Sequence, residues 1–138
     1  MKKMVLMISM LTMLTYCVHA QNKDYNVVFD LTSKDSVNQQ SLIREMTLIK
    51  KGNPDAKVEA VIYGQGLGVV IKDEASQPEA IKNLLAMKDV SFKVCEIAMK
   101  AHNVDKSQLL PDVQTVPDGI YELVSKQHQG WAYIKIAH

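Results

Sequence analysis

Apolar and polar positions along the chain switch repeatedly between a period of two and a period near 3.6. Residues 25–31 (YNVVFDL) form a β-branched and aromatic run closed by Thr32, Ser33 and Asp35, the pattern of a buried strand entering a turn. Leu42, Ile43, Met46 and Ile49 then recur at helical spacing within residues 36–51, and Gly52-Asn53-Pro54 stops that helix. Residues 57–63 (KVEAVIY) predict a second strand, which enters a cluster of Gly64, Gly66 and Gly68; residues 69–71 extend the order briefly. Ser76-Gln77-Pro78-Glu79 has the spacing of a capping box with proline in the first turn, ahead of a helix striped by Ile81, Leu84 and Leu85.

Residues 91–94 (SFKV) predict a third strand, and residues 96–102 a helix with Ile97, Ala98 and Ala101 on one face. A connecting segment, 103–112, leads to a short fourth strand at 113–116. Residues 117–127 then predict a helix with Ile120, Leu123, Val124 and Gln127 in step, ended by Gly130 before a last strand at 131–136. Trp131 and Tyr133 are expected to pack one face of that strand, or Trp131 to anchor an oligomer interface.

Strands that alternate with helices need crossover connections, so the fold class is α/β with a mostly parallel five-stranded sheet and helices on both faces. In such open sheets ligands sit outside the carboxyl ends of the strands. That rule gathers Asp30, Thr32 and Ser33 from the first strand, Tyr63, Gly64 and Gly66 from the second, and Cys95 with Glu96 from the third.

The first twenty residues follow a different pattern. Lys2 and Lys3 precede an apolar stretch at 4–16, which ends at Val18-His19-Ala20, a motif suited to a signal peptidase. The expectation is a signal peptide over 1–20, cleaved after Ala20, and a single domain over 21–138. The product would be periplasmic or secreted, with no stable membrane insertion after processing. Lipidation at Cys17 is the rival reading, disfavoured because bulky Tyr16 precedes it. Cleavage leaves Cys95 as the sole cysteine, unable to close an internal disulfide.

Composition narrows the function classes. The net charge of +1, from 16 basic and 15 acidic side chains, gives no field for phosphate backbones, and an aromatic content of 6% offers few stacking platforms, so no nucleic-acid partner is expected. The Gly64-Gln65-Gly66-Leu67-Gly68 run follows the second strand and meets neither the dinucleotide nor the phosphate-loop fingerprint; no cofactor is expected. His102, His128 and His138 have no helical pairing and no second cysteine, so no metal site is expected. The serines lie outside any nucleophile elbow.

Cys95 is the residue with candidate chemistry. At a strand-to-helix handover the unpaired N–H groups and the positive helix end favour a thiolate, while neighbouring Glu96 and Asp30 oppose it. His102 is the nearest candidate base by sequence. A reactive thiol and a buried small hydrophobe both remain open readings.

Four segments, VVFDLTS (27–33), KVEAVIYGQGLGVV (57–70), VSFKVCEIAMK (90–100) and VPDGIYELVSKQHQGWAYIKI (116–136), together resemble the DsrE/F-like sulfur-relay family in its small exported branch. The cysteine within F-x-V-C-x-x-x-M (92–99) and the terminal G-W-A-Y-I-K (130–135) carry most of the likeness. The resemblance implies a three-layer α/β/α domain with a flavodoxin-like layout that assembles as a homo-oligomer, trimer or hexamer. It further implies a persulfide carried on Cys95 and exchanged with a sulfur donor or acceptor protein. The alternative is a non-catalytic oligomeric binding or assembly module with an inert, buried Cys95 and a small crevice near Asp30 and Tyr63.

Overall fold

The computed structural model describes residues 24–137. The expected signal segment, its cleavage point and Cys17 lie outside the described residues. Five strands appear: β1 (Asn26–Leu31), β2 (Lys57–Ile62), β3 (Val90–Cys95), β4 (Gln114–Val116) and β5 (Ala132–Ile136). Four α-helices link them: α1 (Ser36–Gly52), α2 (Pro78–Leu85), α3 (Glu96–Ala101) and α4 (Gly119–His128). The glycine cluster winds into a 3-10 turn over Gly64–Val70, and Ile71 beyond it forms an isolated antiparallel bridge with Leu109, so the brief order at 69–71 takes this form.

The sheet order is β4-β3-β2-β1-β5, and every pairing is parallel. Strict alternation along each strand sends Val27, Phe29, Leu31, Val58, Ala60, Ile62, Phe92 and Val94 to one face. There they meet Leu42, Ile43 and Met46 of α1, Ile81 and Leu84 of α2, and Ala98 and Met99 of α3. The opposite face carries Val28 and Val61 but also Asp30, Glu59 and Lys93, and among the described helices α4 covers it through Leu123. One layer is thus an ordinary apolar core; the other is largely polar.

Two helices depart from their expected apolar stripes. On α4 Ile120 and Val124 point to solvent while Glu122 and Lys126 are turned inward, because the sheet beneath offers charges instead of apolar surface. On α3 Ile97 and Ala101 are exposed, and Ala98 with Met99 provides the buried contact, because the core lies on the other side of this short helix. The expected capping box before α2 is not formed either: Gln77 occupies the N-cap without a side-chain hydrogen bond, and Pro78 starts the helix. Trp131 falls just before β5, half-buried, with the Lys126 ammonium 4.3 Å from its ring centre.

One buried cation staples the base of the fold. Lys50 donates to the carbonyls of Pro54, Ala56 and Lys88 at 2.6, 2.7 and 2.8 Å. These three bonds tie the end of α1 to the entries of β2 and β3, and satisfy carbonyls that turns would otherwise leave unpaired.

Candidate functional site

The connections after β3 and β4 leave the sheet in opposite directions. Helix α3 goes to the apolar face and α4 to the polar one, so a crevice opens where these neighbouring strands end. Cys95 is the last residue of β3, pairs across to Val116 at the end of β4, and sits at that fork. It is also the N-cap of α3, and its side chain makes no capping hydrogen bond.

The amino end of α4 closes over the same spot. A Cβ placed on Gly119 would lie 3.1 Å from Cys95 Cβ, 3.3 Å from Val61 Cγ1 and 3.5 Å from Tyr63 Cβ. Only a residue without a side chain lets the helix come so near. Asp118 caps α4 through the N–H groups of Ile120 and Tyr121. The positive ends of two helices therefore converge on Cys95, which is buried at 5% exposure.

Asp30 lies two strands across from Cys95, on β1. Its Oδ2 accepts from Tyr133 at 2.6 Å, from Tyr63 at 3.2 Å and from Lys135 at 3.1 Å, while Oδ1 is buried without a partner. Burial, then the Asp30 charge and its hydrogen bond, push the Tyr63 phenol up to about 12; the charge of Cys95 adds to this. Burial, followed by the Asp30 hydrogen bond and charge, likewise pushes Tyr133 up to about 12. Both phenols stay neutral donors across the physiological range. Tyr63 links the two groups, hydrogen-bonded to Asp30 and set beside Cys95 against Gly119.

The remaining residues gathered by the strand-end rule divide. Glu96 turns away from the crevice to accept from Thr115 at 2.7 Å and to pair with Lys106 at 2.7 Å; those contacts hold its carboxyl below the usual range. Gly64, with φ of +58°, lines a separate open cleft of about 360 Å³ with Lys34, Gln65, Glu74 and His102, and Cys95 is not among its walls. Gly66 is buried with its Cα against the Leu31 carbonyl, where a Cβ would stand 2.8 Å from that oxygen; it serves chain packing. His102 caps the far end of α3, six residues of helix beyond Cys95, which is about 10 Å along the axis. It is not placed as a partner for the thiol.

Sequence reasoning missed Gly119 and the roles of Tyr133 and Lys135 beside Asp30. No group of three or more His, Cys, Asp or Glu side chains among the described residues is arranged to hold a metal ion, and no helix among them is long and apolar enough to cross a membrane.

Comparisons with known proteins agree with this architecture. A family model described as the DsrE/DsrF-like family matches residues 18–136. A protein of unknown function from Methanobacterium thermoautotrophicum, MTH1491, superposes with a TM-score of 0.76 at 28% identity, covering 81% of this chain and 99% of its own. The YchN protein of E. coli superposes with a TM-score of 0.68 at 10% identity, covering 82% and 99%, and shares the fold. No curated protein matches at a significant level. With nearly all of the described residues inside the family match, the chain belongs to the DsrE/DsrF-like family.

Proposed function

We propose that the protein is an exported sulfur carrier that holds a persulfide on Cys95. The observation that carries this reading is the position of Cys95: it is the cysteine at the fork between β3 and β4, beneath the amino ends of α3 and α4. A strand-end fork is where an open α/β sheet keeps its chemistry, and helix amino ends stabilise the anionic sulfur that forms and breaks the bonds.

In the loading step the Cys95 thiolate attacks the outer sulfur of a donor persulfide. A new S–S bond forms on Cys95, the donor S–S bond breaks, and the donor departs as a thiolate. Delivery reverses these roles: an acceptor thiolate takes the outer sulfur and Cys95 leaves as thiolate. No net oxidant is needed. Tyr63 and Tyr133, kept neutral by burial and by Asp30, spend their hydroxyl protons on that carboxylate and add no further negative charge to this side of the crevice. Export through the segment at 1–20, cleavage after Ala20 and assembly as a trimer or hexamer belong to the same proposal. Sulfur donor and acceptor would then be exported proteins too.

The burial of Cys95 favours a second reading, an assembly or binding module with an inert thiol. Mass spectrometry of the protein after exposure to polysulfide separates the two. Uptake of sulfur by wild type, lost in Cys95→Ser, supports the carrier. A native protein that takes up no sulfur, and is alkylated at Cys95 only after unfolding, is the module.

A further inference from the structure

We propose that α4 is a movable cover over Cys95, seated on the sheet by a quartet of ions of which Glu59 is buried and the other three are partly exposed, so that loosening the quartet opens the thiol. Such a cover gates the cysteine proposed to carry sulfur, but its opening is read by access to the thiol, whether or not sulfur is ever transferred.

The underside of α4 is poor in apolar contact. Gly119 and Leu123 are its buried residues, and the cluster below is Val28 and Val61, flanked by Tyr63 and Trp131. Its larger apolar side chains, Ile120, Tyr121 and Val124, face outward. What holds it is charge. Glu59 of β2 and Lys93 of β3 rise from the sheet, while Glu122 and Lys126 descend from the helix. Lys93 Nζ lies 3.1 Å from Glu59 and 2.8 Å from Glu122; Lys126 Nζ lies 3.1 Å from Glu59 and 3.6 Å from Glu122. Ser91 adds a hydrogen bond to Glu59, whose other oxygen, Oε1, is buried without a partner.

Ion pairs at such a half-buried seam are partly screened by water and barely offset their own desolvation, whereas an apolar seat of the same area would be firmly stabilising. A helix held this way has a lower opening free energy than the sheet and its apolar layer, and opens as a unit. Its far end permits the motion: Gly130, at φ of +85° with open space around it, follows the helix. Gly119 moves with the helix, so opening uncovers Cys95 from the side that now buries it.

The test is the rate at which iodoacetamide alkylates Cys95 in the native protein, followed by peptide mass, with amide hydrogen exchange alongside. In wild type the alkylation rate should rise with urea along a slope much shallower than that of global unfolding, because one helix exposes little surface. Glu122→Gln should raise the rate about ten-fold or more and strip protection from residues 119–128, leaving β1, β2 and β3 protected. A wild-type slope equal to the global one would overturn the proposal. So would an unchanged Cys95 rate in Glu122→Gln when α4 has lost protection, since the thiol would then be reached by another route. A Glu122→Gln chain unable to fold would overturn it as well, for the quartet would then hold the whole fold.

Discussion

Gly119 stands directly over Cys95, so near that a Cβ added to the glycine would come within 3.1 Å of the cysteine Cβ. This contact is set by two strands ending side by side and sending their helices to opposite faces. It makes the packing of α4 and the burial of Cys95 a single property.

Gly119→Val should therefore displace the amino end of α4. The new side chain meets Cys95, Val61 and Tyr63 at once, and overpacking of this kind costs about 1–3 kcal/mol. Urea denaturation should show the loss, and the variant's Cys95 should be alkylated faster than wild type under native conditions. A variant as stable as wild type, with its thiol equally protected, would mean that the helix adjusts without moving off the cysteine.

Lys50→Met keeps the apolar stem but removes the ammonium that three carbonyls share. Leaving buried acceptors without a charged donor should cost about 3 kcal/mol. Thermal unfolding measures it, and because the staple lies at the end of the sheet opposite the crevice, Cys95 alkylation under native conditions should change little.

The order of elements was legible because periodicity is local: each strand and helix announces itself within ten residues. The placement of Cys95 at a strand end followed from the same reading. The face of α4 was not legible. Its apolar stripe of Ile120 and Val124 points to solvent, because Glu122 and Lys126 answer Glu59 and Lys93 from strands that only the topology brings beneath them. The roles of Tyr133 and Lys135 beside Asp30 escaped notice for the same reason. Both side chains reach Asp30 across more than a hundred residues of chain, and the pairing of β5 with β1 has no local signature. Gly119 carried no signal at all, since nothing in the sequence shows that a helix must approach a cysteine there.

The Asp30 group has its own signature in alkali. Tyr63 and Tyr133 are raised to about 12 in the folded protein against an ordinary 10, so their contribution to stability is complete below pH 10 and is lost as pH rises towards 12. Ultraviolet titration of phenolate should resolve two late-ionising tyrosines. Asp30→Asn removes the negative charge and should return both towards 10; if they titrate late in that variant too, burial alone raises them.

Glu122 gives the opposite limb. Burial acts to raise its pKa, but the hydrogen bond from Lys93 and the neighbouring ammonium groups outweigh it and hold the carboxyl below 4.5. A lowered folded-state value means stability that is present above pH 4.5 and is lost as pH falls through the lowered value. Lys93 is raised above 10.5: burial alone would lower it, and the Glu122 and Glu59 carboxylates reverse that, so its share is present below pH 10.5 and is lost at higher pH. Glu122→Gln should destabilise the protein at neutral pH by about 1.5–3 kcal/mol, the range for a hydrogen bond to a charged group. It should also flatten both limbs of the stability curve, the acid limb because the Glu122 carboxyl is gone and the alkaline limb because Lys93, with one partner fewer, is raised less. Urea midpoints collected from pH 3 to 11 test both limbs together. A variant that lost stability equally at every pH would show that Glu122 acts by packing, and that the ions beneath α4 are not what seats it.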